Sequence, residues 1–167
     1  MDVDTEGALS LTPVKYSELN PKQQEIYNFH TVAALLMGCG FECVRLANDW
    51  GGADFLAYPK EAGQEILRIQ LKGRPTIDKK YQDPEKKIYM AFPIDEVWYL
   101  IPHNKLLQLA EVHTKWTNTK SWNEVGIYHS PAPPQNFMNA LIPFQLQPLV
   151  GTNRKDKSTK ELKKRID

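Results

Sequence analysis

The chain is poor in the residues that build zinc clusters and disulfide frameworks. It has two cysteines, Cys39 and Cys43, and four histidines. No second cysteine or histidine pair stands at zinc-finger spacing from these two cysteines, so we expect two reduced packing thiols. The histidines are predicted to be surface or core residues; they are His30, His103, His113 and His129.

Long apolar runs and an excess of one charge are also missing. No apolar run approaches the ~20 residues that cross a membrane. The acidic N-terminal segment, residues 1–7, lacks the layout of a signal peptide, which predicts an intracellular (cytoplasmic) protein. The formal net charge of +1 argues against a globally basic nucleic-acid coat, although local patches matter more than totals. A length of 167 residues fits one domain with a core.

A helix with a strong start signal opens the predicted domain. Asn20 is a favoured cap, Pro21 suits the first helical position, and Gln23 can complete a capping box. The pattern predicts a helix to about Met37, ended by two glycines. Its second half is apolar almost all round, so we expect it to be buried against a sheet.

Downstream, the pattern predicts an α/β core in which a mixed central sheet of four to five strands is flanked by helices. Residues 1–19 are expected to be an extended leader, and residues 113–150 an interface or specificity segment. The tail, residues 151–167, is expected to be basic and flexible. Strands are expected at 41–46, 54–58, 65–72, 88–92 and 97–101, a turn at 48–52, and a helix at 104–112.

Polar side chains share one face of the predicted strand 65–72. Because side chains alternate along a strand, Arg68, Gln70 and Lys72 lie on one face, opposite an apolar row. Asp54 joins this face if the loop is odd in length or a bulge intervenes. A two-residue turn would instead place Asp54 opposite Leu71, on the wrong face.

This face carries the residue types that metal-dependent phosphodiester cleavage needs. Asp54 is the predicted main ligand of a hard divalent cation, with the Gln70 amide oxygen and the Leu71 main-chain carbonyl as further ligands. Lys72 would activate or orient the attacking water and offset negative charge. Glu25, on the first helix, is expected as an extra acid that orients Lys72 or a metal-bound water.

Together these residues resemble the PD-(D/E)XK nuclease superfamily, whose fold is restriction-endonuclease-like, over roughly residues 20–101. The segments 54–58 and 69–74 are most similar to Holliday-junction-resolvase-like nucleases and to small intron-encoded homing endonucleases. Ala53 replaces the usual proline, and Gln70 replaces the usual acid, although some small homing endonucleases also carry Gln-x-Lys. The resemblance implies a DNA endonuclease that uses Mg²⁺, with Mn²⁺ as a substitute, and that works as a homodimer or higher oligomer.

A basic stretch beside these residues predicts a phosphate-facing surface. The lysine-rich end of the chain, residues 154–165, is expected to add non-specific affinity. The candidate DNA-binding residues are Arg68, Arg74, Lys79, Lys80, Lys86 and Lys87, with Tyr81 and Tyr89 among them.

Plainer interpretations remain open at this point. Asp54 follows two glycines and is compatible with a turn acid. Gln70 and Lys72 are compatible with an exposed edge strand, and Glu25 with a solvated first-turn acid. On function, the alternatives are a catalytically inactive module that binds nucleic acid or protein, and an RNA-processing nuclease.

Overall fold

In a computed structural model, the residues described are residue 7 and residues 9–151, without the side chains of residues 49 and 50. They form one five-stranded sheet, one two-stranded sheet and three α-helices. The helices are α1 (Pro21–Gly38), α2 (His103–His113) and α3 (Gln135–Leu141). The strands are β1 (Phe41–Trp50), β2 (Ala53–Pro59), β3 (Leu67–Leu71), β4 (Thr76–Asp78), β5 (Ile88–Ile94), β6 (Val97–Pro102) and β7 (Ile127–His129).

The main sheet has the order β1-β2-β3-β5-β6, which places β3 at its centre. Strands β3 and β5 run parallel, and the other neighbouring pairs run antiparallel. The predicted mixed sheet of four to five strands with flanking helices is therefore confirmed. The small sheet, in which β4 pairs with β7, was not predicted.

Each face of the main sheet has its own apolar core. On one face, α1 packs Val32 and Leu36 against Phe55 and Ile69. On the other face, α2, α3 and the β4–β7 sheet cover β5 and β6. The large buried residues there include Met90, Phe92, Leu106, Trp116, Trp122, Phe137 and Leu141. None of the helices in the described part of the chain is long and apolar enough to span a membrane.

Helix α1 begins as predicted. The Asn20 side chain accepts a hydrogen bond from the Gln23 backbone N–H at 2.9 Å, and the Gln23 side chain accepts one from the Asn20 N–H at 2.9 Å. This reciprocal capping box satisfies two backbone donors at the helix start. The helix ends one residue later than expected, at Gly38.

The chain before α1 is not wholly an extended leader. Residues 16–18 form a 3-10 turn. The Tyr16 hydroxyl accepts a hydrogen bond from the Asn28 amide at 2.9 Å, and its ring meets Tyr27 edge-on at 5.7 Å. The Tyr16 side chain, aromatic with a polar tip, thus helps to dock this segment on α1. The described residues 9–15 carry no regular structure, and residues 1–6 and 8 lie outside the description.

Two local predictions need correction at the start of the sheet. Strand β1 continues through the predicted turn to Trp50, so the turn is confined to Gly51 and Gly52, both with positive φ. Cys39 is exposed, whereas Cys43 is partly buried against the α1 core. Only Cys43 is therefore a packing thiol, and burial raises the pKa of Cys43 to about 11.

The segment 113–150 contributes to the fold itself. Trp116, Trp122, Phe137 and Leu141 from this segment lie in the core on the α2 side. Its proline-interrupted pattern concealed helix α3, which is a short helix of seven residues. The tail from residue 152 onward lies outside the described residues.

His103, at the start of α2, is a buried core histidine with a relative exposure of 1%. Its Nε2 accepts a hydrogen bond from the Asp78 backbone N–H at 3.1 Å, which ties β4 to α2. Burial lowers the pKa of His103 to about 4, against the opposing influence of the Asp78 charge. The acceptor role at Nε2 requires the neutral ring.

We expect His103 to make folding stability depend on pH. In the unfolded chain the imidazole titrates near its ordinary pKa of 6.5, so its contribution is complete above that value and is lost as pH falls toward about 4. Between pH 7.5 and pH 5.0 the predicted loss is about 2 kcal/mol by urea unfolding. His103→Gln should remove this loss, whereas the exposed-site control His129→Gln should keep it. Equal slopes in wild type and His103→Gln would contradict the assignment.

Candidate active site

A cleft of about 290 Å³ opens at one end of the main sheet, beside the first turns of α1. Its walls include Glu25 from α1, Arg45 from β1, Asp54 from β2, and Leu71 and Lys72 at the end of β3. A second, adjoining cleft of about 480 Å³ shares Glu25, Arg45 and Asp54. The structure therefore brings the predicted acid, lysine and main-chain ligand to one place.

The register that the prediction required is present. Phe55 pairs with Ile69 across the β2–β3 hairpin, so Asp54 stands opposite Gln70. The connecting loop, residues 60–66, is odd in length. The Asp54 carboxylate oxygen Oδ2 accepts hydrogen bonds from Gln70 Nε2 at 2.6 Å and from the Leu71 backbone N–H at 2.8 Å. Asp54 is thus not a turn acid, because its carboxylate reaches across to the neighbouring strand.

Gln70 is buried at the centre of the sheet, with a relative exposure of 7%. Because β3 has neighbours on both sides, the edge-strand interpretation of this residue does not hold. Gln70 Nε2 also lies 3.3 Å from the Leu71 carbonyl oxygen. The amide nitrogen therefore stands between the Asp54 carboxylate and the Leu71 carbonyl, the two oxygens predicted to bind a cation.

This donor set fits a hard divalent cation. Among the described residues there is no group of three or more His, Cys, Asp or Glu side chains that could hold a metal. A cation here would instead rely on one carboxylate, one main-chain carbonyl and one amide oxygen, all of them hard oxygen donors. The hydrogens of the Gln70 amide already offer partial positive charge to two of these oxygens. Reversal of the amide would present Oε1 as the third donor.

Lys72 follows β3 directly and lines the same cleft as Asp54. Its backbone N–H donates to the Ala91 carbonyl at 2.8 Å, which continues the β3–β5 pairing past the end of the strand. Its ammonium lies 5.9 Å from the centroid of the Tyr81 ring. The positively charged side chain of Lys72 is thus held close to the predicted metal ligands Asp54 and Leu71.

Glu25 reaches the cleft, but with different partners from those predicted. Its carboxylate forms ion pairs with Lys22, at 3.1 Å, and with Arg45. Its side chain is about half exposed, at 49%. The carboxylate engages Arg45, and among the described residues no ion pair joins Glu25 to Lys72. The alternative role of Glu25, orienting a metal-bound water, stays a prediction.

Arg45 is a cleft residue that the sequence analysis missed. Its guanidinium pairs with Glu25 and lies 5.7 Å from the centroid of the Phe29 ring. A signal was present, because Arg45 alternates with Phe41 and Cys43, which pack against α1. A charged residue on the buried face of a strand usually has a specific partner.

The six candidate DNA-binding residues fall into two groups. Arg74, Lys79 and Lys80 are exposed and come in the chain after the end of β3 at which Lys72 lies. Arg68 and the Lys86–Lys87 pair lie at the opposite end of β3, where Arg68 is four residues or roughly 13 Å from Lys72. There Lys87 pairs with Glu65 at 2.7 Å, and Arg68 donates to the Lys86 carbonyl at 3.3 Å. The structure therefore does not join all six into one patch.

The solved structures that are similar to this chain include a Holliday junction resolvase and a homing endonuclease. No protein-family model and no curated protein matches the chain. The solved structure of Hjc, a Holliday junction resolvase from the archaeal hyperthermophile Archaeoglobus fulgidus, is similar over 47% of this chain and 72% of its own, with 18% identity and a TM-score of 0.37. The bacterial homing endonuclease I-Ssp6803I is similar over 89% of this chain and 99% of its own, with 10% identity and a TM-score of 0.43.

The Asp54–Gln70 contact predicts how the site responds to an added charge. In Gln70→Glu, without divalent cations, two carboxylates would meet where a 2.6 Å hydrogen bond now stands. We expect a loss of about 2 kcal/mol of stability, or roughly 5 °C in Tm, in EDTA. Ca²⁺ should raise the Tm of this variant more than that of wild type.

The matched control is Gln64→Glu, which adds the same charge at an exposed position in the β2–β3 loop. This variant should unfold within about 0.5 kcal/mol of wild type and should not respond to Ca²⁺. If Gln70→Glu were as stable as wild type in EDTA, the contact between Gln70 and Asp54 would be refuted.

Proposed function

We propose that the protein is a divalent-metal-dependent DNA endonuclease that hydrolyses phosphodiester bonds, with Mg²⁺ as its cofactor and Mn²⁺ as a substitute. The observation that carries the proposal is the convergence of the Asp54 carboxylate, the Gln70 amide and the Leu71 carbonyl. Lys72 stands in the same cleft. A buried amide bridging a carboxylate and a carbonyl beside a lysine suits a cation and a phosphate better than it suits packing alone.

Each residue has a role that follows from its position. Asp54, Gln70 and Leu71 would hold the cation, which when bound supplies an acidified water and compensating charge for the phosphate. The Leu71 N–H keeps one Asp54 oxygen fixed, so the carboxylate needs little reorganisation. Lys72 orients the attacking water by hydrogen bonding and offsets the charge that develops on the phosphate oxygens.

Exposed cations near the cleft fit the DNA backbone. Arg74, Lys79 and Lys80 are exposed, and Arg45 lines both clefts. Such groups bind phosphates without regard to base sequence and make affinity depend on salt. In this proposal the residues at the other end of β3 bind the phosphates of a longer duplex or of a DNA branch. They are Arg68, Lys86 and Lys87.

Cleavage of both strands calls for two sites, so we propose a homodimer or higher oligomer on DNA. The segment 113–150 supports this role because Val125 and Ile142 are large apolar residues with exposures of 73% and 61%. We expect light scattering of the protein with DNA to give at least twice the mass of one chain. A single chain, both alone and on DNA, would contradict this part of the proposal.

The nuclease proposal predicts metal-dependent cutting that Asp54 and Lys72 both control. Supercoiled plasmid, linear duplex, a four-way junction and single-stranded RNA should be incubated with Mg²⁺, Mn²⁺ or EDTA. We expect DNA cleavage with either metal and none in EDTA. Asp54→Asn and Lys72→Met should each slow single-turnover cleavage at least ~100-fold, because the first weakens the cation site and the second removes the charge that offsets the phosphate.

Two matched control variants distinguish the loss of a catalytic group from a general change in the charge of the protein. Asp83→Asn and Lys105→Met make the same changes at exposed positions that do not line the cleft. Both should cut at the wild-type rate. Cleavage of RNA alone would assign the RNA-processing alternative.

The second candidate is a binding module without catalysis. The observation that favours it is that Gln70 replaces a charged ligand with a neutral one. Metal-independent DNA binding, no cleavage of any substrate and unchanged binding in Asp54→Asn would support this module and overturn the endonuclease.

A further inference from the structure

The Tyr81 ring lies next to Lys72, the lysine that lines the cleft. Tyr81 ends the 3-10 turn Lys79–Tyr81 that follows β4, and it is buried with a relative exposure of 3%. The Lys72 ammonium is 5.9 Å from the centroid of its ring, within the distance at which a ring face attracts a cation. Burial raises the pKa of the Tyr81 phenol, so a neutral ring faces the ammonium.

Contacts from two sides hold the Tyr81 ring in place. On one side, the His103 ring meets it edge-on at a centroid distance of 5.5 Å. On the other side stands Gly52, where an added Cβ would lie 2.9 Å from a ring carbon. Gly52 has a φ of +92°, so both its conformation and its closeness to the ring require glycine. Since Gly52 is two residues before Asp54, the ring packs against the turn that leads into the ligand-bearing strand.

We propose that Tyr81 is a positioning residue whose ring face fixes the Lys72 ammonium relative to Asp54. This inference rests on the proposed nuclease function. It assigns the ring, rather than an ion pair with Glu25, as the element that directs Lys72 into the cleft. It also gives Tyr81 a role different from base stacking, because a buried ring cannot stack on a nucleotide.

The Lys80 ammonium also lies near the Tyr81 ring, but its other surroundings differ from those of Lys72. Its ammonium is 4.8 Å from the Tyr81 centroid and 3.8 Å from the Asp78 carboxylate. Its side chain is 56% exposed, and Lys80 does not line the Asp54 cleft. Lys80→Gln should therefore weaken DNA binding.

The test compares variants that keep or remove the ring. Tyr81→Phe keeps the ring and should cut at a rate within about twofold of wild type. Tyr81→Leu removes it and should cut about tenfold more slowly at saturating protein, with DNA affinity within about twofold. Tyr81→Met is the replacement if the leucine variant does not fold, as judged by circular dichroism. This split between rate and affinity is not expected from a purely structural defect.

Trp122 provides a matched control. It is a buried ring with an exposure of 7%, and the Lys79 ammonium lies 5.4 Å from its centroid. Trp122→Leu therefore removes a comparable ring and cation contact, in which the cation is Lys79 and not Lys72. It should lower Tm and leave the rate of the cutting step unchanged. An equal rate loss in Trp122→Leu and Tyr81→Leu would overturn the specific role of Tyr81.

A second readout needs neither metal nor DNA. The side-chain methylene protons of Lys72 next to the ammonium should show an upfield ring-current shift by NMR, assigned by their loss in Lys72→Met. The shift should persist in Tyr81→Phe and vanish in Tyr81→Leu.

The outcomes separate this inference from the proposed function. A wild-type spectrum without the shift, or a folded Tyr81→Leu that cuts at the wild-type rate, would overturn the role of Tyr81. A wild-type protein that cuts no substrate would overturn the nuclease and the catalytic part of this inference. The NMR shift would still decide whether the ring holds Lys72.

Discussion

The site depends on one carboxylate oxygen, Asp54 Oδ2, which accepts hydrogen bonds from the Gln70 side chain and from the Leu71 backbone. These two bonds join the start of β2 to the end of β3 and hold the acid opposite Gln70. Charge-assisted hydrogen bonds of this kind are about twice as strong as neutral ones. A shift of register by one residue would turn Asp54 to the other face and separate it from the amide.

The two faces of the main sheet bring different side chains to the cleft. One face is closed by α1, and from that side Glu25 and Arg45 reach the cleft as an ion pair. The other face is closed by α2, α3 and the β4–β7 sheet, and from that side the Tyr81 ring supports Lys72. The cleft lies at the end of the sheet, where both sets of supports meet. Loss of either layer is therefore expected to disturb the position of a charged group as well as the core.

The sequence was sufficient to predict features set by neighbouring residues. It was not sufficient to predict features set by contacts between distant segments. The α1 cap follows from adjacent residues, and strand alternation placed Asp54 and Gln70 on one face. The register depended on loop length, which the sequence left open between two cases. The partner of Arg45 is 20 residues away, so strand alternation could indicate that Arg45 shares the face of Phe41 and Cys43 but not that it pairs with Glu25. In residues 113–150 the prolines obscured periodicity, and tertiary contacts of the tryptophans order the segment.

The central claim is that a divalent cation takes the place between Asp54 and Leu71 that the Gln70 amide nitrogen now occupies. The most direct test is a crystal structure with Mn²⁺, located by its anomalous scattering. The account predicts a manganese peak against the Asp54 carboxylate and the Leu71 carbonyl, with Gln70 reversed so that Oε1 faces the ion. Manganese bound elsewhere, with Gln70 Nε2 still on Asp54 Oδ2, would contradict it.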